Sequence, residues 1–223
     1  MDLGLHNGDS ACFLIRPSRG KAVVGEFLGA VRPDFWVSDR LAAQMGWART
    51  AHQACLAHLL RDVQYAIDAG DISFAPGIKN LLKHAIAIGH RRDRGRSLLR
   101  PGLADSTLTV YAAKLEATLD RLLQIEPANR QGQKLRRIIK KYRQNLFVFV
   151  TNRAVPPTNN GSEQALRPCV IFRKITNCFR SQWGAKLYAD VRSVFETARR
   201  RGIPILQSIR MTLDERPLPL AAT

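Results

Sequence analysis

Two hydrophobic rhythms divide this chain. Up to about residue 55 the apolar residues come in short runs, and beyond it they recur at intervals of three and four. Cys12-Phe13-Leu14-Ile15 is an apolar run closed by Arg16-Pro17-Ser18-Arg19-Gly20, the pattern of a buried strand leaving into a turn. Over 21–30, Val23, Val24, Phe27 and Leu28 share one face and predict a helix, which Arg32-Pro33-Asp34 stops. Phe35-Trp36-Val37 predicts a second strand, with Ser38-Asp39 at its carboxyl end and a short helix over 40–46 behind it. Strand, helix and strand suggest a parallel α/β unit, in which ligands are met at the carboxyl ends of the strands. Asp39 stands at such an end.

From Leu56 four helical stripes follow. They are Leu56, Leu59, Leu60, Val63 and Ile67; Ile78, Leu81, Leu82, Ala85 and Ile86; Leu108, Tyr111, Leu115, Leu119 and Leu122; and Leu135, Ile138, Ile139, Tyr142, Leu146 and Phe149. Together they predict a bundle, with loops over 70–77 and 90–96. Residues 169–179 carry no periodicity that assigns them. A last helix over 185–201 places Leu187, Val191, Val194, Phe195 and Ala198 on one face, and Gly202-Ile203-Pro204 ends it. No repeat of fixed period is present.

Charge narrows the function classes. Lys and Arg number 35 against 18 acids, a formal charge of +17 and a pI of about 10.7, which suits a polyanionic partner, nucleic acid first. With 45% hydrophobic residues the chain can bury a substantial core and is no disordered basic tail. No run approaches the roughly 20 apolar residues of a membrane span, and residues 1–10 lack an export signal, so a cytoplasmic protein is expected. Cys12, Cys55, Cys169 and Cys178 form no CxxC pair, and reduced thiols are expected.

Chemistry on DNA phosphodiesters commonly uses two Mg²⁺ ions about 4 Å apart, held by carboxylates because Mg²⁺ is a hard ion. The acids must converge from distant parts of the chain, and Asp39 and Glu163 are candidates for such a pair. Each also has a purely structural reading. Asn160 followed by Glu163 fits a helix cap with an acid at its third position, worth about 1 kcal/mol to any helix, and Asp39 would cap a helix starting at Arg40.

Resemblance shifts that balance. Arg16-Pro17-Ser18-Arg19-Gly20, Val37-Ser38-Asp39, the block from His52 to Leu59, Pro157-Thr158-Asn159-Asn160 to Glu163, Ala165-Leu166-Arg167-Pro168 and Arg173-Lys174 occur in an order and spacing that resembles the catalytic region of the insertion-sequence 66 family of bacterial transposases. The resemblance runs from about Cys12 to Arg210 and implies an α/β, ribonuclease-H-like DDE core with a large helical insertion. By it, 1–55 is a partial core with Asp39, 56–150 the insertion, 151–213 the C-terminal part of the core with Glu163, and 214–223 a tail. It further implies Asp39 and Glu163 as the second and third catalytic acids and as ligands of two Mg²⁺ (or Mn²⁺) ions, with Cys55, His58, Asn159 and Asn160 as scaffold near them. The family's first Asp lies in an Asp-Glu-Thr block upstream of the segment resembling 11–15. Neither Asp2 nor Asp9 sits in such a block, so the expectation is weak metal binding and poor strand transfer, with the amino-terminal DNA-binding portions absent too. Implied partners are double-stranded DNA, both transposon ends and target, and further copies of the chain assembled on it.

Cys55-x-x-His58 invites a zinc reading, but a zinc site needs four ligands and no second pair lies nearby, so no zinc is expected. The pair resembles a Cys-x-x-His signature of many DDE transposases; a buried thiol beside a hydrogen-bonded histidine is the equally weighted bland reading. Basic clusters lie at Arg91, Arg92, Arg94 and Arg96, over 134–143, and at Arg199, Arg200 and Arg201. Arg167, Arg173 and Lys174, following Glu163, are the favoured phosphate contacts and 134–143 the second candidate. Trp36, Trp47 and Trp183 are candidates for stacking on bases, Trp36 more for a core. Two classes stay open: a DNA-transposing nucleotidyltransferase, and a non-catalytic basic helical protein that binds nucleic acid through charge.

Overall fold

In the computed structural model, which describes residues 2–18, 20–93, 96–97 and 100–220, the chain is α/β and mostly helical. Its first elements are β1 (Asp2–His6), β2 (Ala11–Ile15), α1 (Lys21–Leu28), β3 (Phe35–Ser38), β4 (Ala51–Ala54), α2 (Leu56–Asp68) and α3 (Ala75–Asp93). Then come β5 (Arg96–Ser97), β6 (Arg100–Pro101), α4 (Asp105–Leu123), α5 (Arg130–Lys141), α6 (Val148–Thr151), α7 (Asn160–Ile175), α8 (Gln182–Arg200) and α9 (Ile205–Leu213). Two compact units divide them: unit 1 is 1–29 with 160–223, and unit 2 is 30–159.

In unit 1, β1 and β2 form an antiparallel hairpin with His6 opposite Ala11, and Asp9 lies in its turn. Alternation buries Ala11, Phe13 and Ile15, which pack with Ala165 and Cys169 of α7 and Ala185 and Ala189 of α8. The far edge of β2 is satisfied by side chains of α8 rather than by a third strand. Phe13 N–H donates to Ser193 Oγ (2.9 Å), and Ala11 N–H donates to Thr197 Oγ1, whose hydroxyl donates back to the Ala11 carbonyl (both 3.1 Å). Hydroxyls spaced one turn apart thus blunt an exposed strand edge. Helix α7 crosses β1 at Gly4, where a Cβ would sit 2.9 Å from Leu166 Cγ. The segment left unassigned by periodicity continues α7 to Ile175 through Pro168, and Asn177 and Cys178 then turn the chain with positive φ (53° and 76°). Helix α9 also lies beyond what the pattern predicted.

Unit 2 holds the parallel pair, β3 with β4, in which Trp36 faces His52 and Ser38 faces Ala54. The sequence predicted a strand–helix–strand unit over 12–37. Instead β2 pairs with β1, because α8 occupies its other edge, and β3 pairs with β4 across a connection in which the predicted 40–46 helix shrinks to one 3-10 turn, Ala42–Gln44. The helical stripes land as predicted: Leu56, Leu59 and Val63 of α2, Leu108, Leu115 and Leu119 of α4, and Leu135 and Ile139 of α5 share one apolar core. The fourth stripe is split, with Leu146 and Phe149 reaching that core from beyond a 3-10 turn at Arg143–Asn145.

Two predicted loops are partly helix, each for a polar reason. Asp71, fully buried, accepts from the N–H groups of Phe74 (3.3 Å) and Ala75 (3.1 Å), which starts α3 ahead of Gly77. It also accepts from Ala128 N–H (3.0 Å) and Ser73, tying the α2–α3 corner to the α4–α5 corner. Gly132 lies against this carboxylate with no room for a Cβ. Arg92, also buried, donates to the carbonyls of Phe149, Asn152 and Val155, so α3 runs on into the basic segment as far as Asp93. No helix among the described residues is long and apolar enough to cross a membrane.

Candidate active-site residues

Asp39 follows β3 directly, at the carboxyl end of the parallel pair, and is half-buried. Its Oδ1 accepts from Leu41 N–H at 3.3 Å, which shapes the turn and leaves the second oxygen uncommitted to that bond. Ser38 fixes the approach: its hydroxyl donates to the Asp39 carbonyl (2.6 Å) and lies 3.0 Å from His52 Nε2. Burial pushes the His52 imidazole down to about 4, against the opposing pull of the Asp39 carboxylate, so the ring is neutral near pH 7. Arg40 is engaged elsewhere, pairing with Asp62 and lying 5.9 Å over the Tyr142 ring.

The same end of the sheet collects three of the predicted scaffold residues. Cys55 N–H donates to the Ser38 carbonyl (2.8 Å), its thiol is fully buried, and its Sγ accepts from Asn159 N–H (3.4 Å). Leu56 N–H donates to the Pro157 carbonyl (3.0 Å), which seats the Pro157–Asn159 loop on the start of α2, where His58 is half-buried in the first turn. Cys55 therefore has a definite position in the framework. Ser38 and His52 entered the sequence reading only as members of the blocks Val37-Ser38-Asp39 and His52 to Leu59, with no role given to either.

In unit 1, Glu163 sits half-buried in the first turn of α7, where a carboxylate faces the positive end of the helix dipole. Asn160 is the first residue of that helix rather than the residue before it. At about 100° per residue, Arg167 and Lys174 fall within some 40° of the Glu163 direction, whereas Arg173 is turned by about 80°. Arg167 and Lys174 are exposed and Arg173 is half-buried. The core-facing residues of this helix, Ala165 and Cys169, lie on the opposite side.

The basic cluster at Arg199, Arg200 and Arg201 is engaged within the protein. Arg199 and Arg200 pair with the buried Glu196 (2.7 and 3.0 Å), and the Arg199 hydrogen bond, outweighing burial, holds that carboxyl below its ordinary value. Arg201 binds the hairpin turn through Ser10 Oγ (2.6 Å) and the Asp9 carbonyl (3.2 Å), and pairs with the Asp9 carboxylate at 3.7 Å. Arg94 and the side chain of Arg96 lie outside the described residues. Trp36 and Trp47 are buried and Trp183 is 73% exposed, which leaves Trp183 as the indole open to a base.

Compared with known protein families, residues 5–187 match the family described as Transposase IS66 family. No curated protein and no solved structure matches.

Proposed function

This chain belongs to the IS66 family of transposases, and from that premise we propose that it acts on DNA in the transposition of a bacterial insertion sequence, by divalent-metal-dependent cleavage and strand transfer. The observation that carries the reading is Asp39 at the carboxyl end of the β3–β4 pair, on a framework of Ser38, His52, Cys55 and Asn159. We assign 1–55, with the β1–β2 and β3–β4 sheets, and 151–213 to a ribonuclease-H-like core and 56–150 to a helical insertion. The cytoplasm, duplex DNA and assembly of several copies on it belong to the same proposal.

The donor set suits Mg²⁺ or Mn²⁺: Asp39 and Glu163 are half-buried carboxylates, the hard oxygen ligands such ions prefer. Two such ions, when bound, supply activation of the attacking oxygen and stabilisation of the leaving oxygen. The chain's own residues do the rest. Ser38 and Leu41 set the Asp39 carboxylate, and neutral His52 places no positive charge beside it. Arg167, Arg173 and Lys174 hold the phosphodiester backbone along α7, with cations near the helix end where they are favoured. Asp9, engaged by Arg201 and Ser10, offers no third ligand.

Mn²⁺ uptake, followed by the free-ion electron paramagnetic resonance signal, tests the assignment. Uptake by the wild-type chain should fall about tenfold or more in Asp39→Asn and in Glu163→Gln. Equal uptake by all three proteins overturns it.

A further inference from the structure

Helix α5 carries no acidic residue, and its cations segregate by face. Gly132, Leu135 and Ile139 point into the core of unit 2. Arg130, Lys134, Arg137 and Lys141 lie opposite, all exposed, and at about 100° per residue they fall within some 60° of one another. A pocket of about 510 Å³ is lined by Arg130, Gln131, Lys134 and Arg137.

Two neighbouring arginines are paired with carboxylates. Arg136, on the same helix, pairs with Glu126 (2.6 Å) and caps the Leu123 carbonyl, and Arg143 pairs with Glu116 and Asp120. Among the described residues no carboxylate pairs with Arg130, Lys134, Arg137 or Lys141; Lys141 rests over the Tyr142 ring at 5.4 Å. Like charges one turn apart disfavour a helix by a few tenths of a kcal/mol each, and Arg130 at the amino end opposes the helix dipole. The helix withstands this through its mount: Asn129 Oδ1 caps Gln131 and Gly132 N–H (both 2.9 Å), and Gly132 is pressed against the buried Asp71.

We propose that this face of α5 is a second DNA-binding surface, a rigid row of four cations that tracks the phosphates of one strand of duplex DNA without reading sequence. It rests on the DNA-acting reading above but uses none of the acidic residues. At 1.5 Å per residue the row spans about 16 Å, enough to follow a few successive phosphates of one strand. Anionic lipid presents phosphates too, but as a mobile plane rather than a line, and the regular single-file spacing favours the duplex.

The test is the salt dependence of full-length protein binding to fluorescent duplexes of two unrelated sequences, measured in EDTA so that no metal site contributes. Changing all four residues to Gln should lower the slope of log K against log salt by about three to four on both duplexes. Lys114→Gln with Arg121→Gln, exposed cations on α4, should change it by about one or less. An unchanged slope in a quadruple variant that keeps its hydrogen-exchange protection overturns the proposal, as does an equal loss in the α4 variant. Stronger binding to phosphatidylserine vesicles than to duplex, abolished in the quadruple variant, overturns it as well. Failure here with Mn²⁺ uptake still dependent on Asp39 and Glu163 removes only the α5 surface; the converse result removes only the metal site.

Discussion

Unit 2 and unit 1 are stabilised on different scales. Unit 2 encloses a continuous core from Ala54 to Val155, pinned by the buried Asp71 and Arg92 at its corners. Unit 1 has a smaller apolar cluster, seven buried residues of hairpin, α7 and α8 among those described, and leaves Ile175, Trp183, Leu206 and Leu213 more than 70% exposed. Asp39 therefore stands beside the larger core, and Glu163 on a helix that packs against the smaller one. Hydrophobic stabilisation scales with apolar area removed from water, so the position of Glu163 is the softer of the two.

The sharpest way to break this comparison is the same truncation in both cores. Phe13→Ala and Phe74→Ala each cost about 3–5 kcal/mol. Hydrogen exchange should show Phe13→Ala erasing protection across β2, α7 and α8, while Phe74→Ala leaves α2 and α4 protected. Equal loss in both would deny the difference.

Asp71→Asn is expected to cost about 1–3 kcal/mol, because an amide nitrogen cannot accept from the backbone donors the carboxylate serves. Burial raises the Asp71 pKa, but the N–H groups of Ala128, Phe74, Ala75 and Ser73 outweigh it and the net shift is downward. A depressed folded-state value stabilises above the unfolded value of 3.8 and loses that contribution as pH falls through the folded one. Denaturant unfolding of wild type and variant should therefore converge only below about pH 4.

A smaller effect comes from His52. Its folded value, about 4, lies below the unfolded 6.5, so the unfolded chain binds the extra proton between them and unit 2 weakens as pH drops through that window. His52→Gln should flatten the slope between pH 6.5 and 4, and NMR titration of the ring should show a midpoint near 4. A midpoint near 6.5 would contradict the burial.

Legibility followed the range of the forces involved. The α2, α4 and α5 stripes could be read because each helix turns one face to a shared core, a local and periodic signal. Pairing partners could not: which strand meets β2 depends on Ser193 and Thr197, far along the chain. Likewise Asp71 and Arg92 sit in segments that look like polar loops, and only contacts at long range, to Ala128 and Phe149, reveal them as parts of the core. Asp39 and Glu163 were proposed from the motif blocks, whereas the contact between Ser38 and His52 becomes visible only once β4 lies beside β3.

Iron-directed cleavage tests the central claim most directly. With Fe²⁺ in place of Mg²⁺, ascorbate and peroxide generate radicals that cut the backbone beside the bound ion, and the fragments are mapped by mass spectrometry. Cuts clustered around both Asp39 and Glu163, suppressed by excess Mg²⁺, are the predicted result. Cuts near one acid alone, or at neither, would contradict a shared metal site and leave a basic protein that binds nucleic acid by charge.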